Sequence, residues 1–229
     1  MENQPIEFYY WRLRGLGSQI LNLMEYAGVK YNCNYFDIPE ASKYMEFKAN
    51  EIKNGFTLMN LPSINDNGNK VAESGAVMFY IANTYCKELV PSCMSEMTKV
   101  LTLQGVMKDF IDSTIKPVFQ DKELESFKTN MKQALGKMQY KIQYFKEILS
   151  SNEWALGKDL SFVDFSLAEL FEKFVTLQEE LKEEFFDKET LEVFQNYVKK
   201  FTSLPKIKEY RESERYLKRP FHPESTVWY

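Results

Sequence analysis

The chain has 229 residues, of which 44% are hydrophobic, 15% are aromatic and 27% are charged, and its net charge is −4. These values allow a packed core in one or two domains, and the interspersed charges argue against a nucleic-acid groove, which needs a basic patch. The apolar runs are short and interrupted by charges, so the sequence predicts no membrane span, and residues 1–4 lack the features of a secretory signal.

Cysteine and histidine usage limits the chemistry further. The sequence has three cysteines, Cys33, Cys86 and Cys93. This is an odd number, and no two of them form a Cys-x-x-Cys pair. That usage disfavours a disulfide framework or a structural zinc site and fits a reducing cytoplasm. His222 is the only histidine in the sequence. Any metal centre or triad that needs two histidines is therefore excluded by counting, and we expect no metal.

The first third of the chain alternates between strand and helix patterns. Ile6–Trp11 is an aromatic run of high β-propensity, and apolar residues at helical spacing follow from Ser18 to Gly28, where a helix stop is expected. Tyr31–Phe36 is a second strand, and residues 44–52 form a weaker helix. Because a helix between two strands of one sheet makes a right-handed crossover, this order predicts an α/β arrangement.

Residues 60–74 combine three local signals in a fixed order. Pro62 cannot donate a ladder hydrogen bond, so it marks a turn or a sheet edge. Asp-Asn-Gly at positions 66–68 is typical of a hairpin turn. Ser74 then stands as the N-cap of a helix whose free N–H groups and macrodipole favour an anionic ligand. The pattern predicts strands over residues 63–65 and 70–72 and a helix over residues 75–85.

Beyond Cys86 the pattern is helical throughout. We interpret residues 87–93 as a linker between one domain over residues 1–86 and a second, all-helical domain over residues 94–229. Ser161-Phe-Val-Asp164 has the spacing of a capping box, in which the acid accepts from the Ser161 N–H. The helix that it opens is apolar on nearly every side, which predicts a buried central helix. The predicted helices cover residues 95–119, 123–149, 162–178, 190–201 and 205–212.

This combination resembles a cytosolic glutathione transferase. The proline turn, the hairpin and the Glu73-Ser74 helix start resemble its glutathione-binding half, and the helical second part resembles its other domain. The segment Tyr-Trp-Arg-Leu-Arg-Gly-Leu at positions 10–16 resembles the opening of the mu class, and residues 204–228 resemble its tail. The resemblance implies a thioredoxin-like α/β N-terminal domain, an all-α C-terminal domain and a cis Pro62.

The resemblance also implies a function. We expect conjugation of the thiolate of reduced glutathione to small hydrophobic electrophiles, with glutathione as co-substrate and with no bound prosthetic group. A homodimer in the cytoplasm is expected, without nucleic-acid or membrane partners. Leu58 stands where the dimers of the family carry an aromatic side chain, so a weaker dimer contact is expected.

Tyr10 is the expected catalytic residue. A phenol that donates a hydrogen bond to the glutathione sulfur stabilises the thiolate and lowers the pKa of the thiol. A tyrosine in an aromatic strand also serves core packing, which is the alternative role. Tyr9 faces the other side of the strand, and the position of Tyr10 before Trp11 favours Tyr10.

The resemblance supplies further glutathione contacts. Leu61 pairs its backbone with the cysteinyl part of the tripeptide, as an added strand would, and Glu73 and Ser74 hold the γ-glutamyl end. Glu73 replaces the usual glutamine of the mu class, although other classes of the family use glutamate. The remaining contacts fall on Trp11, Leu16, Asn60 and Pro62.

The cation for the glycine carboxylate is less well defined. Direct register with the mu class places Phe47 and Glu51 where a tryptophan and a lysine are expected. Lys53 is our choice for this role and Lys48 is the alternative, while a solvated surface lysine remains an equally simple interpretation of Lys53.

The electrophile site is predicted around Leu16, Val118 and Phe119, together with the tail. The second tyrosine of the family, which assists some additions, has no clear counterpart, because Val118 or Phe119 falls at its place. A non-catalytic carrier of apolar ligands is the first alternative function. A thioredoxin-like redox enzyme is disfavoured because Leu16, Gly17 and Ser18 stand where a cysteine is needed.

Overall fold

The computed structural model describes residues 4–229 and places the first strand inside a four-stranded sheet. The strands are β1 (Ile6–Trp11), β2 (Tyr31–Phe36), β3 (Ser63–Asp66) and β4 (Asn69–Ala72), in the spatial order β2-β1-β3-β4. β1 pairs in parallel with β2 and antiparallel with β3, and β3 pairs antiparallel with β4. The α/β fold predicted for this part of the chain is confirmed.

Three helices accompany the sheet: α1 (Ser18–Ala27), α2 (Ala41–Lys53) and α3 (Ser74–Tyr85). Gly28 ends α1 in a left-handed conformation with φ 70°, as expected of a residue without a Cβ. α2 begins three residues before the predicted start, because a 3₁₀ turn over Ile38–Glu40 leads directly into it.

The start of α3 corrects one prediction. Ser74 is the first helical residue and not the N-cap, because the carbonyl of Glu73 accepts the Val77 N–H at 2.9 Å and so closes the first helical turn. Glu73 has φ 72°, an unusual conformation for a residue with a side chain. The left-handed backbone at Glu73 shifts the boundary by one residue.

Six helices form the second part of the structure: α4 (Met94–Gln120), α5 (Leu124–Gly136), α6 (Gln139–Ser151), α7 (Phe162–Leu181), α8 (Lys188–Thr202) and α9 (Pro205–Glu212). The helical character of this half is confirmed. Among the helices of residues 4–229, none combines the length and the hydropathy that a bilayer crossing requires.

The single helix predicted over residues 123–149 is wrong. The chain turns at Lys137 and Met138, so two helices stand in its place, α5 and α6. The buried residues Phe127, Met131, Leu135, Met138, Ile142, Phe145 and Leu149 keep one unbroken spacing of three or four residues through the turn. Apolar periodicity therefore gives no sign of the break.

The capping box of α7 is confirmed. The Asp164 carboxylate accepts the Ser161 N–H at 2.8 Å, and it also accepts the Ala155 N–H at 2.8 Å and the Tyr197 hydroxyl at 2.6 Å. Asp164 is fully buried, and these donors satisfy its oxygens. The helix is buried on several sides, as predicted, and it is the central helix of the second part.

The two parts share one apolar core. Tyr26 of α1 packs edge-on against Phe165 of α7, with ring centroids 5.4 Å apart. Residues 87–89 form a 3₁₀ turn between α3 and α4. We propose that residues 87–93 divide a domain over residues 1–86 from a domain over residues 94–229.

Candidate active site

Tyr10 lies on β1 and only 6% of its surface is exposed. Its hydroxyl oxygen accepts the Leu16 N–H at 2.8 Å, which leaves the phenolic hydrogen free to donate to another group. Burial raises the pKa of Tyr10 to about 12, although the bond from Leu16 opposes the shift. The phenol therefore stays protonated at neutral pH and is available as a hydrogen-bond donor.

Two glycines make room for the Tyr10 ring. A Cβ on Gly15 would lie 2.6 Å from the Tyr10 hydroxyl oxygen, and a Cβ on Gly17 would lie 2.4 Å from Cδ1 of the ring. Both distances are far below van der Waals contact, so a larger residue at either position forces the ring to move. Gly15 also has φ +36°, which side chains rarely adopt. The sequence Gly-Leu-Gly after β1 thus shapes the Tyr10 site.

Arg14 anchors this loop to α7. Its guanidinium donates to Glu169 at 2.7 and 3.0 Å and to Glu172 at 2.7 Å, and its side chain is only 2% exposed. Arg211 binds Glu172 from the other side at 2.6 Å. Burial opposes ionisation of Glu172, yet Arg14 and Arg211 lower the pKa of that carboxyl to about 2. The buried charges are therefore paired.

The tail also contacts the loop through its backbone. The Arg14 N–H donates to the carbonyl of Pro220 at 2.8 Å, and the Gly15 N–H donates to the carbonyl of Phe221 at 3.2 Å. The loop that contacts Tyr10 is thus fixed by β1 on one side, by α7 through Arg14 and by the tail.

The polar residues predicted to bind glutathione form a connected group. Asn60 donates to the Glu73 carboxylate at 3.2 Å and accepts the Tyr44 hydroxyl at 3.4 Å. Tyr44 packs edge-on against Trp11, with centroids 4.9 Å apart. Asn60 and Glu73 are both exposed, so a ligand can reach them. The structure therefore brings Trp11, Asn60 and Glu73 to one surface.

The other residues of that segment fit this surface. The peptide bond between Leu61 and Pro62 is cis, which confirms the expectation from the family resemblance. Pro62 is buried, Leu61 is half-buried, and Ser74 follows Glu73 at the start of α3.

The lysines of α2 differ in their surroundings. Lys53 is exposed at the end of the helix, whereas the Lys48 ammonium lies 5.8 Å from the centroid of the Tyr44 ring. Lys48 is thus the lysine next to the surface formed by Trp11, Asn60 and Glu73.

The two positions in direct register with the mu class serve other contacts. Phe47 stacks on Tyr9 with centroids 4.8 Å apart, and Glu51 pairs with Lys70 at 2.6 Å. The stacking also shows that Tyr9 faces α2, on the side of the strand opposite to Tyr10, as expected.

The predicted electrophile residues lie on two elements. Leu16 is on the Tyr10 loop and is half-buried. Val118 is buried in the last turns of α4, and Phe119, beside it, is 48% exposed. Phe119 packs edge-on towards His222 of the tail, with centroids 6.4 Å apart.

Sequence reasoning missed the charged residues of α7. Glu169, Glu172 and Lys173 stand at spacings of three and four on a helix that is otherwise mostly apolar. A charged stripe on a buried helix is a signal of paired or functional groups, and it was available in the sequence. His222, the single histidine of the sequence, is also buried, next to Phe119.

Comparisons with known families cover both parts of the chain. Residues 6–83 match the model described as "Glutathione S-transferase, N-terminal domain", and residues 108–214 match "Glutathione S-transferase, C-terminal domain". The chain belongs to the glutathione S-transferase family. The cis Pro62, the Tyr10 loop and the helical second part are therefore features of a glutathione transferase, and the transferase is an enzyme that uses glutathione.

Individual relatives agree with this assignment. The transferase is 27% identical to Glutathione S-transferase Mu 2 of Homo sapiens over 232 residues, which cover 98% of each chain. It is 26% identical to Glutathione S-transferase Mu 1 of Bos taurus over 229 residues, again with 98% of each covered. The solved structure of monomeric Na-GST-3, a glutathione S-transferase of Necator americanus, has a TM-score of 0.70 at 22% identity, with 94% of this chain and 100% of that chain covered.

Proposed function

We propose that Tyr10 is the catalytic residue and that it donates a hydrogen bond to the sulfur of bound glutathione. The observation that carries this proposal is the hydroxyl of Tyr10, which accepts the Leu16 N–H at 2.8 Å and so directs its own hydrogen elsewhere. The pKa of Tyr10, raised to about 12 by burial, supports a role as donor and argues against one as base.

The energetic requirement on Tyr10 is modest. A free thiol with a pKa of about 8.5 is only a few per cent ionised at neutral pH. A hydrogen bond that lowers this pKa by about two units corresponds to about 2.7 kcal/mol and leaves most of the thiol ionised at pH 7. One hydrogen bond to a charged acceptor, about 1.5–3 kcal/mol, is of that size. The thiolate then attacks an electrophilic carbon, and no metal or prosthetic group takes part.

Glutathione binding is assigned to the surface around Trp11, Asn60 and Glu73. Glu73 and Ser74 hold the γ-glutamyl end, where the N-terminus of α3 also favours the carboxylate. Leu61, held by the cis Pro62, offers its backbone to the cysteinyl part. Leu16 also contacts glutathione in this proposal, and Leu16, Val118 and Phe119 line the site for the apolar electrophile.

A lysine of α2 binds the glycine carboxylate in this proposal. Lys53 is the choice from sequence, and it is exposed at the end of α2. Lys48 is the candidate that geometry favours, because its ammonium lies against Tyr44, which bonds to Asn60. Either lysine would form an ion pair at the surface, so its contribution is small.

The test is conjugation of glutathione to 1-chloro-2,4-dinitrobenzene by the wild type and by Tyr10→Phe. If the thiol pKa returns to its free value, the ionised fraction at pH 7 falls about 25-fold, and kcat/KM falls with it. At pH 9 the free thiol is already mostly ionised, so the two enzymes differ by less than about twofold. A loss of equal size at both pH values would contradict a role in thiol ionisation.

Tyr9→Phe is the matched control. Tyr9 stands on the opposite face of β1 and stacks on Phe47. The change removes the same hydroxyl from the same strand, so activity close to that of the wild type is expected at both pH values. Wild-type enzyme that binds apolar dyes but conjugates no electrophile would favour the carrier function.

We also propose that the transferase forms a homodimer. Several large apolar side chains are exposed on and before α3 and α4, namely Leu58, Phe79, Met94 and Leu101. Leu58 is 82% exposed at the position where an aromatic contact is expected in a dimer. Na-GST-3 is described as monomeric, so a monomer is the specific alternative. Sedimentation equilibrium distinguishes the two, and a monomer at micromolar concentration would contradict the dimer.

The proposed location is the cytoplasm. The three cysteines are free, and Cys33 and Cys93 are exposed. Exposed free thiols fit a reducing compartment. Fractionation of cells that express the protein tests this location, and recovery in an oxidising compartment would contradict it.

A further inference from the structure

The tail bonds to the end of α7 as well as to the loop that follows β1. The indole N–H of Trp228 donates to the Glu180 carboxylate at 2.9 Å, and the guanidinium of Arg219 pairs with the same carboxylate. Burial opposes ionisation of Glu180, yet the bonds from Arg219 and Trp228 lower the pKa of that carboxyl. Glu180 therefore receives two donors from the tail, one from each end of the segment 219–228.

The position of Trp228 depends on this bond. Trp228 is only 6% exposed, and among the residues that the structure describes no other acceptor bonds its N–H. A buried donor that loses its acceptor bears the full cost of its desolvation. Without the Glu180 carboxylate, we therefore expect the indole to leave its place and reach for another acceptor.

The Trp228 ring extends the contact towards the loop after β1. It stacks on the Phe221 ring with centroids 5.3 Å apart and an interplanar angle of 15°. The turn before Trp228 is closed by the Thr226 N–H, which donates to the Pro223 carbonyl at 2.9 Å. The Arg14 guanidinium lies 4.3 Å from the centroid of the Phe221 ring. Phe221 is thus in contact both with Trp228 and with the loop.

Phe221 also fixes the backbone beside Tyr10. Its carbonyl accepts the Gly15 N–H at 3.2 Å. The next N–H of the loop, that of Leu16, donates to the Tyr10 hydroxyl at 2.8 Å and leaves the phenolic hydrogen free to donate. Because the two N–H groups belong to consecutive peptide units, a shift of Phe221 moves the donor that orients the hydroxyl. Gly15 is itself so close that a Cβ there would lie 2.6 Å from the hydroxyl oxygen.

We propose that Glu180 is a positioning residue for the reaction and that it acts through Trp228 and Phe221. The carboxylate holds the Trp228 ring, the ring holds Phe221 against the loop, and the loop keeps its N–H donor directed at the Tyr10 hydroxyl. A misplacement of about 1 Å can cost a catalytic group most of its effect. The inference rests on the proposed role of Tyr10 and extends it to a carboxylate in the last turn of α7.

The test is the pKa of the thiol of enzyme-bound glutathione, which is read from the ultraviolet absorbance of the thiolate between pH 5 and pH 9. We expect this pKa to rise by at least about half a unit in Glu180→Met. The ionised fraction at pH 5.5 then falls about threefold, and kcat/KM for 1-chloro-2,4-dinitrobenzene falls with it. Glu180→Gln keeps an acceptor for the indole N–H and should give a smaller shift. A purely structural role would lower stability towards urea and leave the thiol pKa unchanged.

Trp228→Phe breaks the same connection from the other side. This variant keeps an aromatic ring beside Phe221 and removes the N–H that reaches Glu180. We expect the thiol pKa to rise here too, and the double variant with Glu180→Met should shift it no further than Glu180→Met alone. Additive shifts would contradict a route through Trp228. Should Glu180→Met not fold, Glu180→Gln and Trp228→Phe decide in the same way.

The controls separate this inference from the proposed function. Glu179→Met removes the neighbouring carboxylate of α7, which is exposed and accepts from Gln195 of α8, and should leave the thiol pKa unchanged. Tyr10→Phe should return that pKa to about 8.5. If it does so while Glu180→Met and Trp228→Phe keep the wild-type value, the role of Glu180 alone is overturned. A wild type that binds glutathione without lowering the thiol pKa overturns the proposed function and this inference with it.

Discussion

The loop that follows β1 is held by different kinds of contact on its two sides. On the Tyr10 side, the ring is fixed by close packing against Gly15 and Gly17 and by one neutral hydrogen bond from Leu16. On the side that faces α7, the loop is held by the buried charges of Arg14, Glu169 and Glu172, which lie up to 158 residues apart in sequence. The first side depends on shape over a short stretch of sequence, and the second depends on paired charges between distant elements.

This difference determines how each side responds to a substitution. Steric contacts within a short loop change the position of one ring and leave the rest of the fold intact. Removal of one partner from a buried ion pair leaves an uncompensated charge, and the cost falls on the stability of the whole chain. We therefore expect mutations on the two sides to separate activity from stability.

The largest effect is expected for Arg14→Met. The change leaves Glu169 buried without its cation, while Glu172 keeps Arg211, and breaking a buried pair typically lowers the free energy of unfolding by about 3–5 kcal/mol. Urea unfolding at pH 7 measures it. Arg12→Met is the control, because its ion pair with Asp37 is exposed and contributes less than about 1 kcal/mol. Equal losses in both variants would contradict the difference between the two kinds of contact.

The next effect is expected for Gly17→Ala. The new methyl group would lie 2.4 Å from the Tyr10 ring, so the ring must shift. We expect a loss of about 1–3 kcal/mol in stability and roughly a tenfold to 100-fold lower kcat/KM with 1-chloro-2,4-dinitrobenzene. Gly105→Ala in α4 meets open space and should retain full activity. Wild-type activity in Gly17→Ala would show that the Tyr10 ring can shift without a loss of activity.

A pH-dependent effect is expected for His222. Its pKa is lowered to about 3 in the folded state by burial, with Lys173 and Arg219 nearby, and is about 6.5 when unfolded. Below pH 6.5 the unfolded chain therefore binds a proton at His222, whereas the folded chain does not. The free energy of unfolding consequently falls as the pH falls. The loss between pH 7 and pH 5 is about 2 kcal/mol.

His222→Phe removes this contribution. The difference in unfolding free energy between pH 7 and pH 5 should be smaller in this variant than in the wild type by that amount, since all other titrating groups are shared. Urea unfolding at the two pH values measures the difference. An identical pH dependence in both proteins would mean that His222 is solvated or paired in solution.

The smallest effect is expected at the glycine carboxylate. Loss of a surface ion pair weakens binding by about 0.2–1 kcal/mol, which raises KM for glutathione by up to about fivefold. We expect this rise in Lys48→Met and a smaller one in Lys53→Met, because Lys48 lies next to the Tyr44 ring. A rise in KM for glutathione only in Lys53→Met would favour Lys53, the lysine chosen from the sequence.

Local patterns in the sequence were sufficient for most of the fold. β1, β2 and α9 begin and end where expected, because aromatic runs, proline and apolar spacing act over a few residues. The capping box at Ser161 was visible for the same reason. The break at Lys137 was not, since the apolar spacing continues across it, and the start of α3 moved because Glu73 adopts a left-handed conformation.

The candidate site was only half predictable. Tyr10, Trp11, Asn60 and Glu73 lie in or next to short motifs, so a resemblance assigns them directly. The contacts of Arg14 with Glu169, and of Phe119 with His222, depend on how distant segments pack, and no spacing rule relates them. The sequence was also insufficient to choose between the lysines of α2, because it gave no reason to prefer Lys48.

The backbone contacts of the tail have a consequence for how the enzyme can be altered. Arg14 and Gly15 bond to the main-chain carbonyls of Pro220 and Phe221, so the loop takes its position from peptide groups that every residue possesses. The side chain of the next residue, His222, takes no part in these backbone hydrogen bonds. We therefore expect that position 222 accepts other residues, by selection or in the laboratory, while the loop beside Tyr10 keeps its place.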